Sequence, residues 1–176
     1  MTAASRGAGT GPDRRRDELL AEGVRLRENG RREEARALLV DLAARHPHDA
    51  EVAHQTAWVH DVLGLEAEAV PYYLAAVEGD GLEPGERCEA LLGLGSTYRI
   101  LGMYPQAIDT LRGAVEEFPS HGGLRTFLAM ALYNTGRHHE AMQLLLTLLA
   151  STSDDASITA YRAAIEAYAE DLDATV

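Results

Sequence analysis

The sequence contains no lysine, one cysteine and few aromatic residues. All 16 positive charges are arginine, so a phosphate-binding loop of the GxxxxGK type, which requires a lysine, is excluded. Arginine for every positive charge, together with abundant alanine, is typical of a high-GC bacterial genome. The single Cys88 cannot form an internal disulfide, which is compatible with a reducing compartment. Aromatic residues make up 6% of the chain, so leucine, alanine and valine must build most of the core.

Long apolar segments and excess positive charge are also missing. Residues 1–16 contain no continuous apolar stretch, so no signal peptide is expected. The longest apolar cluster, Leu144 to Ala150, is interrupted by Thr147 and is too short to span a bilayer. The net charge of -12 disfavours nucleic acid and anionic membranes as partners. We therefore expect a cytoplasmic protein that binds neither nucleic acid nor membrane.

An internal repeat is present instead. Four helical stretches end in glycine, and each glycine is followed five residues later by alanine, with spacings of 34, 38 and 34 residues between copies. Glycine supplies the left-handed turn of a tight helix connection, and small residues let two helices approach closely. The pattern therefore predicts stacked helix pairs. The glycines are Gly30, Gly64, Gly102 and Gly136, and the alanines are Ala35, Ala69, Ala107 and Ala141.

The third copy resembles the tetratricopeptide motif most closely. It carries Leu91, Leu94, Gly95, Tyr98, Gly102, Tyr104, Ala107, Leu111, Ala114 and Pro119. In this comparison, Leu91 replaces the tryptophan of the motif and Leu111 replaces its phenylalanine. Other copies depart at single positions, with His60 at the Tyr98 position. The resemblance covers about residues 17–171 and extends to small bacterial tetratricopeptide proteins without an assigned activity.

The resemblance implies an all-α fold, a superhelical solenoid of about four helix pairs with a C-terminal capping helix. Residues 1–13 are small and polar, and we expect them to form a disordered tail before a repeat domain over 14–176. The repeats are expected near 16–49, 50–87, 88–121 and 122–153. Nine helices are expected near 14–29, 32–45, 50–63, 66–78, 85–101, 104–118, 123–135, 138–150 and 154–171.

The segment after the fourth repeat is predicted to cap the solenoid. Its apolar residues recur at helical spacing, at Ile158, Tyr161, Ile165 and Tyr168. The preceding helix is apolar nearly all round over 144–149, so its far side needs a cover. A terminal helix with a polar outer face meets that need, and we expect one continuous capping helix near 154–171.

Tetratricopeptide proteins bind proteins or peptides in a concave groove lined by the first helix of each repeat, which implies the same use here. The periodicity agrees, because a second face at i, i+4 and i+7 runs beside the apolar stripe of each such helix. Leu20, Val24 and Arg27 hold this face in the first repeat. The predicted peptide-binding residues are His54, Trp58 and Asp61 in the second repeat, Leu92, Ser96 and Arg99 in the third, and Thr126, Met130, Tyr133 and Asn134 in the fourth.

Two of these residues have alternative interpretations. Trp58 is either an interface hot spot or a ring packed against the neighbouring repeat. Arg99 either binds a carboxylate with two hydrogen bonds or pairs with Asp61 or Glu89. The carboxylate clamp known from some tetratricopeptide domains is not expected, because its positions hold Leu20, Val24, Gln55, Glu89 and Gly93, of which only Gln55 is a suitable donor.

No catalytic, cofactor or metal site is predicted. Gly93-Leu94-Gly95 lacks the third glycine and the preceding strand of a dinucleotide fingerprint. The paired histidines at 46 and 48 and at 138 and 139 are interpreted as solvated turn residues, since no HExxH motif and no second cysteine accompany them. Ser96 lacks a nucleophile turn. The leading hypothesis is therefore a non-enzymatic protein-binding or peptide-binding scaffold.

An alternative function is self-assembly of the chain into a structural homo-oligomer. It depends on the apolar 144–149 segment, which would form an interface if the last helix leaves it uncovered.

Overall fold

A computed structural model describes residues 11–175 of the chain. Within that range the regular secondary structure consists of ten α-helices. They are α1 Gly11–Glu28, α2 Arg32–Arg45, α3 Ala50–Asp61, α4 Glu66–Glu78, α5 Pro84–Ile100, α6 Tyr104–Glu117, α7 Gly122–Asn134, α8 His138–Thr152, α9 Ala156–Thr159 and α10 Arg162–Glu170.

The chain divides into two compact units, and the division falls in the first turn of α5, after Glu86. In the first unit α1 packs on α2, α2 on α3, and α3 on α4. In the second unit α6 packs on α7, α7 on α8, and α8 on α10. The side chain of Leu111 in α6 reaches Gly95 in α5. This order of consecutive helix pairs confirms the all-α repeat fold.

Each helix pair is joined by the same backbone turn. The four repeat glycines adopt φ angles between 72° and 78°, a region that only glycine enters without strain. In the first turn the Arg31 amide donates to the Leu26 carbonyl at 2.9 Å, and in the third the Met103 amide donates to the Tyr98 carbonyl at 2.8 Å. These are the closing hydrogen bonds of a Schellman motif. The predicted role of the glycines is confirmed.

A second recurring feature of the repeats is a small residue in the middle of the first helix. Close crossings between the two helices of a repeat explain it. A Cβ atom on Gly23 would lie 2.6 Å from Leu39, and one on Gly95 would lie 2.4 Å from Leu111. Both leucines are fully buried. The first helix of each of these repeats can therefore approach the second only because glycine stands at the crossing.

The N-terminal helix starts earlier than predicted. Residues 1–10 of the expected disordered tail lie outside the described residues, whereas 11–13 already belong to α1. Pro12 suits the first helical positions because its fixed φ matches the helix and its missing amide hydrogen would have no partner there. The prediction of a tail up to residue 13 was therefore wrong over 11–13.

Arg16 in α1 is ion-paired with the residue that caps α3. Its guanidinium donates to both carboxylate oxygens of Asp49, at 2.5 and 2.7 Å. Asp49 also accepts from the Val52 amide at 3.1 Å and so caps α3. Burial opposes ionisation of this carboxyl, but the hydrogen bonds from Arg16 and Val52 outweigh it and hold the pKa of Asp49 below its usual value.

The single capping helix predicted near 154–171 is two helices. The four-residue α9 is capped by Asp155, whose side chain accepts from the Ser157 amide at 2.8 Å. The chain then leaves helical geometry at Tyr161 before α10. Three of the four residues of α9 are serine, isoleucine and threonine, which are weak helix formers. Of the predicted apolar stripe, Tyr161 and Tyr168 are about two-thirds exposed, whereas Ile158 and Ile165 are half-buried.

Candidate binding faces

The predicted binding residues lie on the first helices of three repeats, as expected. His54, Trp58 and Asp61 belong to α3 in the first unit, whereas the remaining seven belong to α5 and α7 in the second. The predicted residues therefore form two faces, one in each unit.

Trp58 in the first unit is partly exposed and partly packed. Its side chain is 38% exposed. The guanidinium carbon of Arg27 lies 3.8 Å from the centre of the indole ring, a cation–π contact. His54 stacks on the ring at a centroid distance of 5.9 Å. Trp58 therefore contacts the preceding repeat through Arg27 and still offers one edge to solvent, and its role as an interface hot spot stays a prediction.

Arg27 is almost fully buried, at 8% exposure, and its charge has a neutral hydrogen-bond partner. Its Nη1 donates to Oε1 of Gln55 at 2.6 Å. Burial lowers the pKa of the Arg27 guanidinium, and the charge of Glu28 opposes that shift. Trp58 and Gln55 together therefore replace the water that the guanidinium loses.

His54 is buried, at 3% exposure, so it lies beneath the exposed face rather than on it. Burial, and then the positive charge of Arg27, lower the pKa of His54 to about 4. Its Nδ1 atom is buried without a hydrogen-bond partner among the described residues. The imidazole is neutral at pH 7 and supports Trp58 from behind. Asp61 is half-buried and accepts from the Tyr73 hydroxyl at 2.7 Å.

A separate cleft of about 650 Å³ lies between α2, α3 and α4 of the first unit. It contains none of the predicted binding residues. The His60 ring lies in it, stacked on Tyr72 at 5.2 Å, and its Nδ1 is 2.7 Å from the Thr56 carbonyl. Arg36 and Glu68, of opposite charge, both line this cleft.

The second unit has an open pocket on its predicted face, with a cavity volume of about 310 Å³. It brings together four of the seven predicted residues of this unit, and α8 supplies the remaining wall. Leu92, Ser96 and Thr126 are half-buried and do not line it. The lining consists of Arg99, Ala129, Met130, Tyr133, Asn134, His138, Ala141, Met142 and Leu145.

Sequence reasoning missed the contribution of α8, because it placed the groove on the first helix of each repeat. The signal was present, since His138, Ala141, Met142 and Leu145 are spaced at i, i+3, i+4 and i+7 and share one helix face. Met142 is 47% exposed. The pocket wall is thus mainly apolar, and Tyr133, at 63% exposure, stands at its edge with its ring 4.7 Å from that of His138.

Arg99 is the charged residue of this pocket. Its Nη1 donates to Oδ1 of Asn134 over 3.4 Å, a long hydrogen bond, and its Nε is buried without a partner among the described residues. Glu89, one of the two predicted ion-pair partners, lies 3.6 Å from Nε2 of His121 instead. None of the nine lining residues is an aspartate or glutamate. The guanidinium therefore has no counter-charge in the pocket wall.

Little in the described residues points to catalysis. Over 11–175, no group of three or more histidine, cysteine or acidic side chains is arranged to hold a metal ion. Cys88 is buried, and burial followed by the charges of Glu89 and Glu117 raises the pKa of its thiol, which keeps it protonated and unreactive. Among the same residues, no helix has both the length and the apolar character to cross a bilayer.

The family model described as tetratrico peptide repeat matches residues 50–172. The chain belongs to the tetratricopeptide repeat family. Proteins built from stacked helical repeats present extended surfaces to their partners, so a protein-interaction scaffold is the general class of this tetratricopeptide protein. Scaffolds of this class are generally not enzymes. No curated protein sequence matches the chain significantly.

Solved structures resemble the tetratricopeptide chain in fold. MamA AMB-1, in its P212121 crystal form, has a TM-score of 0.68 at 22% identity, over 82% of this chain and 76% of MamA. The APC/C hetero-tetramer Cut9-Hcn1 has a TM-score of 0.70 at 18% identity, over 88% of this chain and 29% of the matched chain. At these identities the likeness concerns the repeat fold alone.

Proposed function

We propose that the chain is a non-enzymatic scaffold that binds a protein or peptide through the exposed faces of the first helices of its repeats. The observation that carries the proposal is the pocket of the second unit. There, four predicted residues and one face of α8 surround an open and mainly apolar cavity. Met130, Tyr133, Met142 and Leu145 are all more than a third exposed, and exposed apolar clusters of this kind mark interaction sites.

The first unit would contribute the free edge of Trp58, supported by Arg27 and His54. A large aromatic ring held rigid by neighbouring groups suits an interface, because little side-chain entropy is lost on binding. The matched solved structures are consistent with this use: one of them is named as the hetero-tetramer Cut9-Hcn1, an assembly that contains a chain of this fold.

A display selection of random peptides on the immobilised protein tests the proposal, followed by affinity measurements on the selected peptides. The double variant Tyr133→Ala/Leu145→Ala removes two pocket-lining side chains that are each more than a third exposed. We expect it to remain folded by circular dichroism and to bind the selected peptides about tenfold or more weakly, which corresponds to about 1.4 kcal/mol.

The matched control is Tyr161→Ala/Tyr168→Ala, which removes two exposed rings outside the pocket. We expect it to bind within about twofold of wild type, since a surface contact away from the site contributes little. Equal losses in both variants, or none in either, would reject the pocket as the binding site.

Self-assembly is the second candidate, and a specific observation favours it. Although α10 packs on α8, Leu145 and Leu149 remain about 40% exposed. Light scattering over a concentration series tests this: the mass should rise above that of one chain, and Leu149→Glu should return it to the monomer. A mass that stays at one chain at the highest concentration rejects it.

A further inference from the structure

Arg27 and Arg99 occupy the same position of the repeat, two repeats apart, in the last turn of a first helix. Their surroundings differ. Arg27 donates to Gln55 at 2.6 Å and lies against the Trp58 ring. At the positions that match Gln55 and Trp58, the next pair of repeats carries Phe127 and Met130, which offer neither a carbonyl oxygen nor an indole ring. The second unit therefore lacks both groups that satisfy the arginine in the first.

Three other arginines of the second unit have counter-charges. Arg87 pairs with Glu117 at 2.8 Å, and Arg112 pairs with Glu140 at 2.5 Å. Arg137 shares that same Glu140. Arg99 instead has its long contact with Asn134 and a buried Nε that lacks an acceptor. In a chain with a net charge of -12, carboxylates are abundant, yet the wall of this pocket contains none.

We propose that the second-unit pocket recognises an acidic peptide segment, with a carboxylate on Arg99 and a neighbouring apolar side chain against Met130, Met142 and Leu145. A half-buried guanidinium without a counter-charge is unfavourable. A carboxylate supplies that charge and accepts two guanidinium hydrogens side by side. The proposal rests on the proposed function of the same pocket and adds the chemistry of its partner.

The size of the pocket fits a peptide of this kind. Its volume of about 310 Å³ is at the lower end of the roughly 300–1,000 Å³ seen for small-ligand pockets. Such a volume suits one or two peptide side chains. Asn134 contacts Arg99 and carries a side-chain amide that can donate as well, whereas Ala141, Met142 and Leu145 of α8 are apolar, so a carboxylate and an alkyl group have separate places.

A peptide array tests the proposal. The array carries short acidic and apolar peptides, each paired with a copy in which glutamine or asparagine replaces the acidic residue. Pairs that bind wild type are then measured in solution by fluorescence polarisation. We expect the carboxylate member to bind about tenfold more tightly than its amide copy, as is usual for a charge-assisted pair.

Substitutions of Arg99 test whether this residue causes the preference for the carboxylate peptide. Arg99→Gln should weaken the carboxylate member about tenfold and leave the amide copy within about twofold, while Arg99→Lys, which keeps the charge but loses the planar fork, should give an intermediate loss. Arg162→Gln on α10 is the control, since it removes the same charge from an exposed site. Circular dichroism checks that each variant is folded.

The possible failures are distinguishable. If peptides bind wild type but the carboxylate preference is absent, or survives in Arg99→Gln, the proposed recognition is wrong and the binding function of the pocket stands. If Arg162→Gln loses the preference equally, the effect is one of overall charge and the proposal is likewise wrong. If no peptide of the array binds wild type, both this inference and the proposed function of the pocket fail.

Discussion

The face around Trp58 in the first unit and the pocket beside Arg99 in the second are built on the same repeat positions. In the first, Trp58 and Gln55 cover Arg27, and a buried histidine supports the ring from behind. In the second, smaller or apolar side chains leave the equivalent arginine beside an open cavity. The comparison shows that one backbone scaffold can either satisfy an arginine internally or leave it available to a partner, through two side-chain choices.

The largest expected effect is on the pH dependence of stability, through His54. The equivalent position of the second unit holds Thr126, which does not titrate. An unfolded histidine takes up its proton near pH 6.5, whereas His54 in the folded state does so only near pH 4. Its contribution to the free energy of unfolding is thus complete above pH 6.5 and is lost as pH falls towards 4, by up to about 3 kcal/mol.

Urea unfolding of wild type and His54→Thr at pH 7 and pH 4.5 checks this expectation. The variant should lose less stability than wild type over that interval. Carboxyl groups with lowered pKa, such as Asp49, are present in both proteins and cancel in the difference. An identical pH dependence in the two proteins would mean that His54 is accessible to protons in the folded state.

The second prediction concerns Trp58→Met, which places in the first unit the residue type that the second unit has at the matching position, Met130. Trp58→Met removes the cation–π contact with Arg27 and the stacking with His54, which together should cost about 2 kcal/mol of unfolding free energy. Met130→Ala, at the matching position, should cost less than about 1 kcal/mol, because this side chain is 41% exposed. Chemical denaturation measures both values. Similar losses would mean that Trp58 contributes no more to stability than the exposed Met130, which contradicts the comparison.

The third and smallest effect on stability is expected when an aromatic ring is introduced to cover Arg99 in the second unit. In Met130→Trp an indole ring can cover Arg99 as Trp58 covers Arg27. We expect a gain of about 0.5–1 kcal/mol in denaturation experiments, together with weaker binding of peptides to the pocket. Met142→Trp, on the opposite wall, is the control and should give no such gain. A stabilised variant that still binds at full strength would show that Arg99 does not contact the partner.

Much of the fold could be predicted from local chemistry. Gly30 and Gly102 had to be glycine because the connecting turn requires a positive φ, and Gly23 and Gly95 because a larger residue would overlap Leu39 and Leu111. These constraints act within a few residues or recur with the repeat, so the sequence displays them directly. The break between α9 and α10 was not predicted, since it depends on a balance between weak helix formers and the packing of α10 on α8.

The candidate site was predictable only in part. Helical spacing placed Arg99, Met130, Tyr133 and Asn134 on exposed faces, and the structure brings these four into one pocket. The same spacing in α8 did not by itself reveal that this second helix completes the wall, because spacing does not say which neighbouring face a side chain meets. Their part in binding stays a prediction, as does that of Trp58 and Asp61.

The sequence by itself determined the repeat, the helix pairs and the turns, because period, glycine and alanine act through short-range geometry. Tertiary structure alone decided which arginine is satisfied. Arg27 and Arg99 hold the same repeat position, but the side chains around them differ. Gln55 and Trp58 contact Arg27, whereas Arg99 contacts Asn134 beside an apolar cavity. Burial and the supply of hydrogen-bond partners belong to the packed molecule, since they depend on what meets a side chain in space.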